Sequence, residues 1–420
     1  MEYGLIGSKL GHSYSKIIHE RLCGYEYELR PLPTEAEARR FLEERPFRAI
    51  NVTIPYKRLV MEYCDEIDPR AAAIGAVNTV VNRNGRLYGW NTDYMGFAHL
   101  CRSRGVAFAG RTVLILGTGG THNTAAAVAR DEGAARVLTA SRRPDPAKGW
   151  ISYEEAVRSG AQVVINTTPA GMYPDVGQCL LDVAAMPGLE AVVDVVYNPA
   201  RTELLLRAEE AGVPVTACGL EMLVAQAVWA AEYFLDKPFA DREGEICRSA
   251  ADLRRDILNV SLVGMPSSGK TTLGRALAAA LGRPFVDLDE EIVRADGRSI
   301  PEIFAAEGED GFRARETEQV RRFGKESGLL ISCGGGVVKR PENVRALRQN
   351  GLVLFVDRPL EALAVGGGRP LSSSPEALRA MEAERRPLYE KAADAVIRND
   401  GTAEDAAARA LQALNELFAQ

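Results

Sequence analysis

"SLVGMPSSGKTTLG", residues 261–274, runs a β-branched apolar stretch into a glycine-rich loop and then into a helical pattern. It fits G-x-x-x-x-G-K-[ST] through Gly264, Gly269, Lys270 and Thr271, with Thr272 next, "NVSLV" before it and "LGRALAAAL" after it. Backbone amides of such a loop surround a β-phosphate, the lysine neutralises β and γ oxygens, and the threonine hydroxyl ligates magnesium. A nucleoside triphosphate with Mg2+ is the expected ligand. In a one-domain protein of this kind the loop lies close to the N-terminus, so residues 1–260 need their own explanation.

Outward from this loop, short β-branched runs alternate with helical patterns: "TVLILG" (112–117), "QVVINTT" (162–168), "AVVDVVY" (191–197), "LLISCGG" (329–335) and "LVLFVD" (352–357). That alternation predicts an α/β fold built from βαβ units around largely parallel sheets. At 420 residues the chain is too long for one ordinary core and suggests two or three units. The charged stretch 236–256, broken by Pro238 and Gly244, reads as a linker with some helical content. A second boundary is expected between Cys101 and Arg111.

Composition narrows the class further. With 46% apolar and 26% charged residues the chain has an ordinary globular core. A net charge of -6 argues against general affinity for nucleic acid or anionic membranes, so small anionic substrates need local positive charge. The seven cysteines form no C-x-x-C pair and the four histidines no zinc pattern, which fits reduced thiols in a cytoplasmic enzyme. No apolar run is long enough to span a membrane, and the N-terminus has no basic flank followed by an apolar core.

A second glycine loop stands in "LILGTGGTHNTAAAVAR" (114–130), where Gly117, Gly119 and Gly120 lie between a buried strand and a small-residue helix. Glycines there admit a pyrophosphate to the backbone, and the helix N-terminus receives its charge. Asn123 occupies the third glycine position of the usual spacing, and a plain tight turn is the alternative. About 20 residues on, where an acidic residue would bind the ribose 2′-hydroxyl of NAD, the chain has Ser141, Arg142 and Arg143. Two arginines suit a 2′-phosphate, hence NADP; a solvated basic turn is the other possibility.

Three clusters suggest a substrate side. "NVTIPYK" (51–57) is expected to run from a strand through Pro55 into a helical first turn, putting Lys57 near a positive helix end where it exchanges a proton more readily. "GWNTDYMG" (89–96) places Asp93 among turn-forming residues, where it either orients a lysine ammonium or caps a helix. "GHSYSK" offers Ser13 and Ser15, on one side of the chain if it is extended. A surface lysine and a serine-rich turn are the plainer readings.

Together with "GAVNT", "INTTPAGM", "DVVYNPARTELL" and "GLEMLVAQA", in that order, these clusters resemble shikimate dehydrogenase over about residues 1–236. The resemblance implies that Ser13, Ser15, Thr53, Asn78, Asp93 and Gln226 hold the substrate and that Lys57 and Asp93 form the catalytic pair. It implies a substrate domain split between 1–101 and about 220–240, around an NADP domain at 102–219. Thr121, His122 and Asn123 depart from the small residues that usually follow the family's glycine loop.

The C-terminal part resembles shikimate kinase over about residues 257–420, beyond a linker at 241–256, through "FVDLDEEI", "IPEIFAAEGEDGFRARE", "SCGGGVV", "GGGRPL" and "ERRPLYEKAAD". By that resemblance Asp289, Arg313, Gly334, Gly335, Gly336 and Arg385 grip shikimate, Asp287 organises the Mg2+ shell beside Thr271, and Arg369 lies on a lid over the phosphates of ATP. Arginine forks suit a carboxylate, while Asp289 can accept a hydrogen bond from a ring hydroxyl; as plain surface ion pairs these charges would have no reason to follow that order. The expectation is a bifunctional enzyme that reduces 3-dehydroshikimate with NADPH and then phosphorylates shikimate, with no protein, nucleic-acid or membrane partner. Its rivals are a quinate enzyme using NAD, a non-catalytic binding protein, and a chain with one inactive domain.

Overall fold

The computed structural model describes every residue except His12, 364–373 and Gln420. The chain forms two compact units, Met1–Ala250 and Ala251–Gln420. The division falls within a helix, Arg242–Ile257, where the sequence reads as a linker. Glu243 and Glu245 in its first turn and Arg254 and Arg255 in its last complement the helix dipole, which explains why so charged a stretch is helical.

The first unit holds two sheets. Strands β1 (Tyr3–Gly7), β2 (Tyr27–Pro31), β3 (Ala49–Val52), β4 (Glu66–Ile67), β5 (Thr79–Arg83) and β6 (Arg86–Trp90) make a mixed sheet in the order β2-β1-β3-β5-β6-β4. In it β1 and β3 are parallel, whereas β5 runs antiparallel to both β3 and β6. The ends of β1 and β3 and the start of β5 therefore share one edge.

The second sheet is wholly parallel. Its strands are β7 (Thr112–Leu116), β8 (Arg136–Ala140), β9 (Trp150–Ile151), β10 (Val163–Asn166), β11 (Ala191–Asp194) and β12 (Val215–Cys218), in the order β12-β11-β10-β7-β8-β9. Counted from β7 this is the doubly wound 3-2-1-4-5-6 arrangement, whose ligand crevice opens at the carboxyl ends of the first and fourth strands. Val113, Ile115, Val163 and Ile165 pack on one face with Phe97 and Val128. Leu114, Leu116 and Val164 pack on the other with Leu204 and Leu205. Burial on both faces explains why these strands read as unbroken apolar runs.

The second unit is built on one parallel sheet of β13 (Asn259–Val263), β14 (Phe285–Asp287), β15 (Leu330–Ser332), β16 (Gly351–Asp357) and β17 (Ala395–Arg398), ordered β14-β15-β13-β16-β17. Strand β13 lies centrally and feeds the loop before the helix Lys270–Leu281. Among the described residues no helix is long and apolar enough to cross a membrane.

Candidate active sites

Sheet topology assembles the first site. Ser13 and Ser15 follow β1, Thr53 and Lys57 follow β3, and Asn78 immediately precedes β5. Thr79 pairs with Trp90 across β5 and β6, so Thr92 and Asp93 emerge at the same edge. Lys57 Nζ donates to Asp93 Oδ2 at 2.5 Å, with both side chains mostly buried. Asp93 lies in the first turn of the helix Thr92–Ser103, where the positive helix end favours a carboxylate. The cap is Asn91, whose side chain accepts from the Tyr94 amide.

Two local expectations need correction. Lys57 does not sit at the start of an α-helix: residues 54–58 form turns that lead to a 3₁₀ helix at Leu59–Glu62. The Tyr56 amide bonds back to Thr53 O, so the lysine is held by Asp93 rather than tuned by a helix dipole. Ser13 and Ser15 do not alternate along a strand either. Tyr14 has helical φ and ψ, Ser15 begins the helix Ser15–Cys23, and its amide donates to Ser13 Oγ at 3.3 Å.

Gln226 reaches the site from the helix Leu220–Leu235, which crosses the Thr92–Ser103 helix at Gly96. A Cβ on Gly96 would lie 2.5 Å from Met222 O and 3.0 Å from Gln226 Cβ, so only glycine permits the approach. Gln226 Oε1 then accepts from Thr92 Oγ1 at 3.4 Å and faces Asn78 Nδ2 at 3.5 Å. Thr92 and Asn51, both buried and hydrogen-bonded to this group, went unnamed in the sequence reading although each lies inside a motif it quotes.

The second sheet presents the cofactor loop. Gly117 has φ 101°, a left-handed conformation, and a Cβ there would meet Thr168 Cγ2 at 2.7 Å. Gly119 and Gly120 open the helix Gly120–Asp131, and their absent Cβ atoms would point into open space. Arg142 and Arg143, just past β8, are exposed and in no ion pair among the described residues. Ser141 Oγ accepts from the Arg143 amide at 3.1 Å. A dinucleotide pyrophosphate and a 2′-phosphate fit these features. The departing residues have structural partners: His122 Nε2 meets Thr139 Oγ1 at 2.8 Å, and Asn123 Nδ2 donates to Ile74 O at 3.3 Å. Burial lowers the pKa of His122 and favours its neutral ring.

In the second unit Gly264 and Gly269 both have positive φ, and Lys270 Nζ donates to Gly264 O at 3.0 Å and Met265 O at 2.9 Å. Thr271 Oγ1 donates to Asp287 Oδ2 at 2.9 Å. An exposed hydroxyl beside a carboxylate suits Mg2+, which keeps several waters and takes few protein ligands. Thr272 follows in the exposed first turn of the helix.

Beside it lies a charged cluster. Arg313 is buried, donating to Glu316 Oε2 at 2.7 Å and to Glu309 Oε1 at 3.2 Å from both Nε and Nη2. A Cβ on Gly336 would strike that guanidinium, and one on Gly334 would come 2.9 Å from both Asp289 Oδ1 and Glu316 Oε1. Arg385 Nη1 donates to Gly335 O at 3.0 Å, while its buried Nε has no hydrogen-bond partner among the described residues. Glu316 is fully buried; burial raises its pKa against the opposing pull of Arg313. The sequence reading did not single it out, although the i,i+3 spacing from Arg313 signals an ion pair. Arg369 lies outside the described residues.

A doubly wound dinucleotide domain beside a lysine–aspartate pocket defines a dehydrogenase, and the strand-loop-helix phosphate cradle beside buried arginines defines a small-molecule kinase. Family models agree with both. Residues 5–80 match "Shikimate dehydrogenase substrate binding domain" and residues 266–415 match "Shikimate kinase". The shikimate dehydrogenase (NADP(+)) of Clostridium beijerinckii is 34% identical over 247 residues, spanning 55% of this chain and 90% of the relative. Shikimate dehydrogenase 1 from Peptoclostridium difficile superposes with TM-score 0.54 at 32% identity, over 59% of this chain and 97% of that one. A chorismate mutase/shikimate 5-dehydrogenase fusion from Clostridium acetobutylicum gives 0.54 at 33%, over 58% and 95%. The chain belongs to the shikimate dehydrogenase family and carries a shikimate kinase domain at its C-terminal end.

Proposed function

We propose that the first unit reduces 3-dehydroshikimate to shikimate and that the second phosphorylates the shikimate 3-hydroxyl, so that the product of one site is the substrate of the other. When bound, NADPH supplies the hydride and Mg-ATP the phosphoryl group. The observation that carries the first assignment is Lys57 Nζ held 2.5 Å from Asp93 Oδ2. Lys57 delivers the proton to the carbonyl oxygen as it becomes a hydroxyl, and Asp93 keeps the ammonium aimed. Ser13, Ser15, Thr53, Asn78 and Gln226 orient the ring; Gly117, Gly119, Gly120, Ser141, Arg142 and Arg143 hold the cofactor.

In the second unit Arg385 and Arg313 receive the substrate carboxylate, and the unpartnered Arg385 Nε supports that role. Asp289 accepts a hydrogen bond from the attacking hydroxyl, and Gly334, Gly335 and Gly336 let the ring approach the backbone. Gly264, Gly269, Lys270, Thr271 and Thr272 bind the phosphates, with Thr271 and Asp287 toward Mg2+. The resemblance assigns Arg369, outside the described residues, to the same phosphates. The substrate domain comprises 1–101 and about 220–240, the NADP domain 102–219, the linker 241–256 and the kinase 257–420. The enzyme acts in the cytoplasm and needs no macromolecular partner.

The test supplies 3-dehydroshikimate, NADPH and Mg-ATP and follows NADPH loss and ADP formation together, omitting each cofactor in turn. NADPH should fall without ATP, and ADP should appear only once shikimate is present. A flat signal at either site, with its own substrate supplied directly, would remove that activity from the reading.

A further inference from the structure

A buried chain of hydrogen bonds runs from the far side of the first sheet to the residue before Asp93. Tyr27, on β2 and fully buried, stacks against the His19 ring at 4.3 Å and donates to Asn51 Oδ1 at 2.7 Å. Asn51 Nδ2 donates to the Asn78 carbonyl at 3.3 Å and to Thr79 Oγ1 at 3.2 Å. Thr79 Oγ1 lies 2.9 Å from Thr92 Oγ1, which reaches Gln226 Oε1 at 3.4 Å and Asn78 Oδ1 at 3.2 Å. Every hydroxyl and amide in this chain is buried, so each polar atom left unmatched would carry a desolvation cost.

Two backbone groups fix its direction. A carbonyl only accepts, so the atom of Asn51 facing Asn78 O must be Nδ2, which leaves Oδ1 for the Tyr27 hydroxyl. An amide N–H only donates, so the atom of Asn78 lying 2.7 Å from the Thr92 amide must be Oδ1. Because Thr79 accepts from Asn51, its own proton goes forward to Thr92 or Asn78, and the Thr92 proton goes on to Asn78 or Gln226. Asn78 Oδ1 thus accepts from the Thr92 amide and has the Thr79 and Thr92 hydroxyls, each at 3.2 Å, around its second lone pair. Gln226 Oε1 faces Thr92 and Asn78, and Gln226 Nε2 spends one N–H on Leu223 O at 2.9 Å.

We propose that Tyr27, Asn51, Thr79 and Thr92 are positioning residues that turn the two pocket amides so that their remaining hydrogen-bond capacity is N–H donors only. Together with Lys57, this wall then selects ligands bearing acceptor oxygens and rejects an ammonium in their place, with Asp93 the acceptor opposite. The inference rests on the reading that Asn78 and Gln226 face the substrate of the dehydrogenase site.

The test measures oxidation of shikimate by NADP+ in the full chain and in Thr79→Val, Thr79→Ser and Tyr27→Phe. Thr79→Val should raise the KM for shikimate about tenfold, with kcat within about threefold and the KM for NADP+ unchanged, since it removes one buried hydrogen bond and leaves its partner orphaned. Thr79→Ser, which keeps the hydroxyl, should restore the shikimate KM, and Tyr27→Phe should raise it less than Thr79→Val. An unchanged shikimate KM in Thr79→Val would overturn the proposal, as would a serine variant as impaired as valine. If the valine variant does not fold, Tyr27→Phe decides by the same criterion. No shikimate oxidation by the unsubstituted chain would instead bring down the underlying assignment and the inference with it.

Discussion

The two glycine loops of this chain meet the same ligand chemistry in opposite ways. At Gly119 and Gly120 the missing Cβ atoms point into open space, with two exposed arginines past the neighbouring strand. At Gly269 the loop is crowded: a Cβ would lie 2.6 Å from Asn399 Nδ2, and that side chain already donates to Ser268 O at 2.7 Å. Lys270 likewise folds onto the loop's own carbonyls. A dinucleotide lies along an open helix end, so its loop need only stay clear. A triphosphate is enclosed, so the cradle must be held in shape, and here the chain's own lysine and asparagine hold it.

The largest effect expected from this contrast is reciprocal. Lys270→Ala should lower kinase kcat by about 10³-fold or more, the scale of losing a charge aimed at transition-state oxygens, and leave shikimate oxidation unchanged. Lys57→Ala should lower dehydrogenase kcat by about 10²–10⁴-fold and spare ADP formation. Loss of both activities in either variant would break the assignment of one lysine to each site.

A pair of glycine substitutions sharpens the comparison. Gly269→Ala must adopt φ 92° against Asn399 and should cost roughly 1–3 kcal/mol in chemical unfolding of the second unit. Gly120→Ala enters open space and should leave stability within about 0.5 kcal/mol while raising the KM for NADP+. Equal destabilisation would mean that the first loop is not open.

The smallest effect concerns Asp194, at the end of β11. It is fully buried and bonded to Asn166, Val196 and Thr202, with no cationic partner among the described residues, and burial pushes its pKa from 3.8 to about 7. Between those values the native chain keeps a proton there that the unfolded chain has lost. The stabilisation is complete below about pH 3.8 and is lost as pH rises toward about 7. All three tryptophans, Trp90, Trp150 and Trp229, lie in the first unit, so their fluorescence follows its unfolding alone. The urea midpoint should fall between pH 5 and 7, and Asp194→Asn, which mimics the protonated acid, should flatten the slope. An unchanged slope would show that Asp194 is ionised in the native state.

Much of this was legible in the residues. The strands at 112–116, 163–166, 191–194, 259–263 and 330–332 fall within the apolar runs that announce them, and the strand 351–357 starts one residue before its run, because a strand buried on both faces must be apolar throughout. The two glycine loops were equally plain, since few side chains tolerate their backbone. Lys57 and Asp93 could be paired only through a family likeness, and the dipole argument for Lys57 failed because a turn replaces the helix it needed. Thr79 and Tyr27 carry no local signal: a threonine and a tyrosine in strands are usually there for packing.

By itself the sequence determined the fold class and the two glycine loops, set by local periodicity and backbone sterics, while most residues proposed for each site were named through family resemblance. Tertiary structure alone decided that Lys57 meets Asp93, that Gly96 brings Gln226 to Asn78, and that a relay from Tyr27 orients both amides. Those are contacts between residues 13 to 148 positions apart. Only strand order and helix crossing, not local sequence, can set such distances.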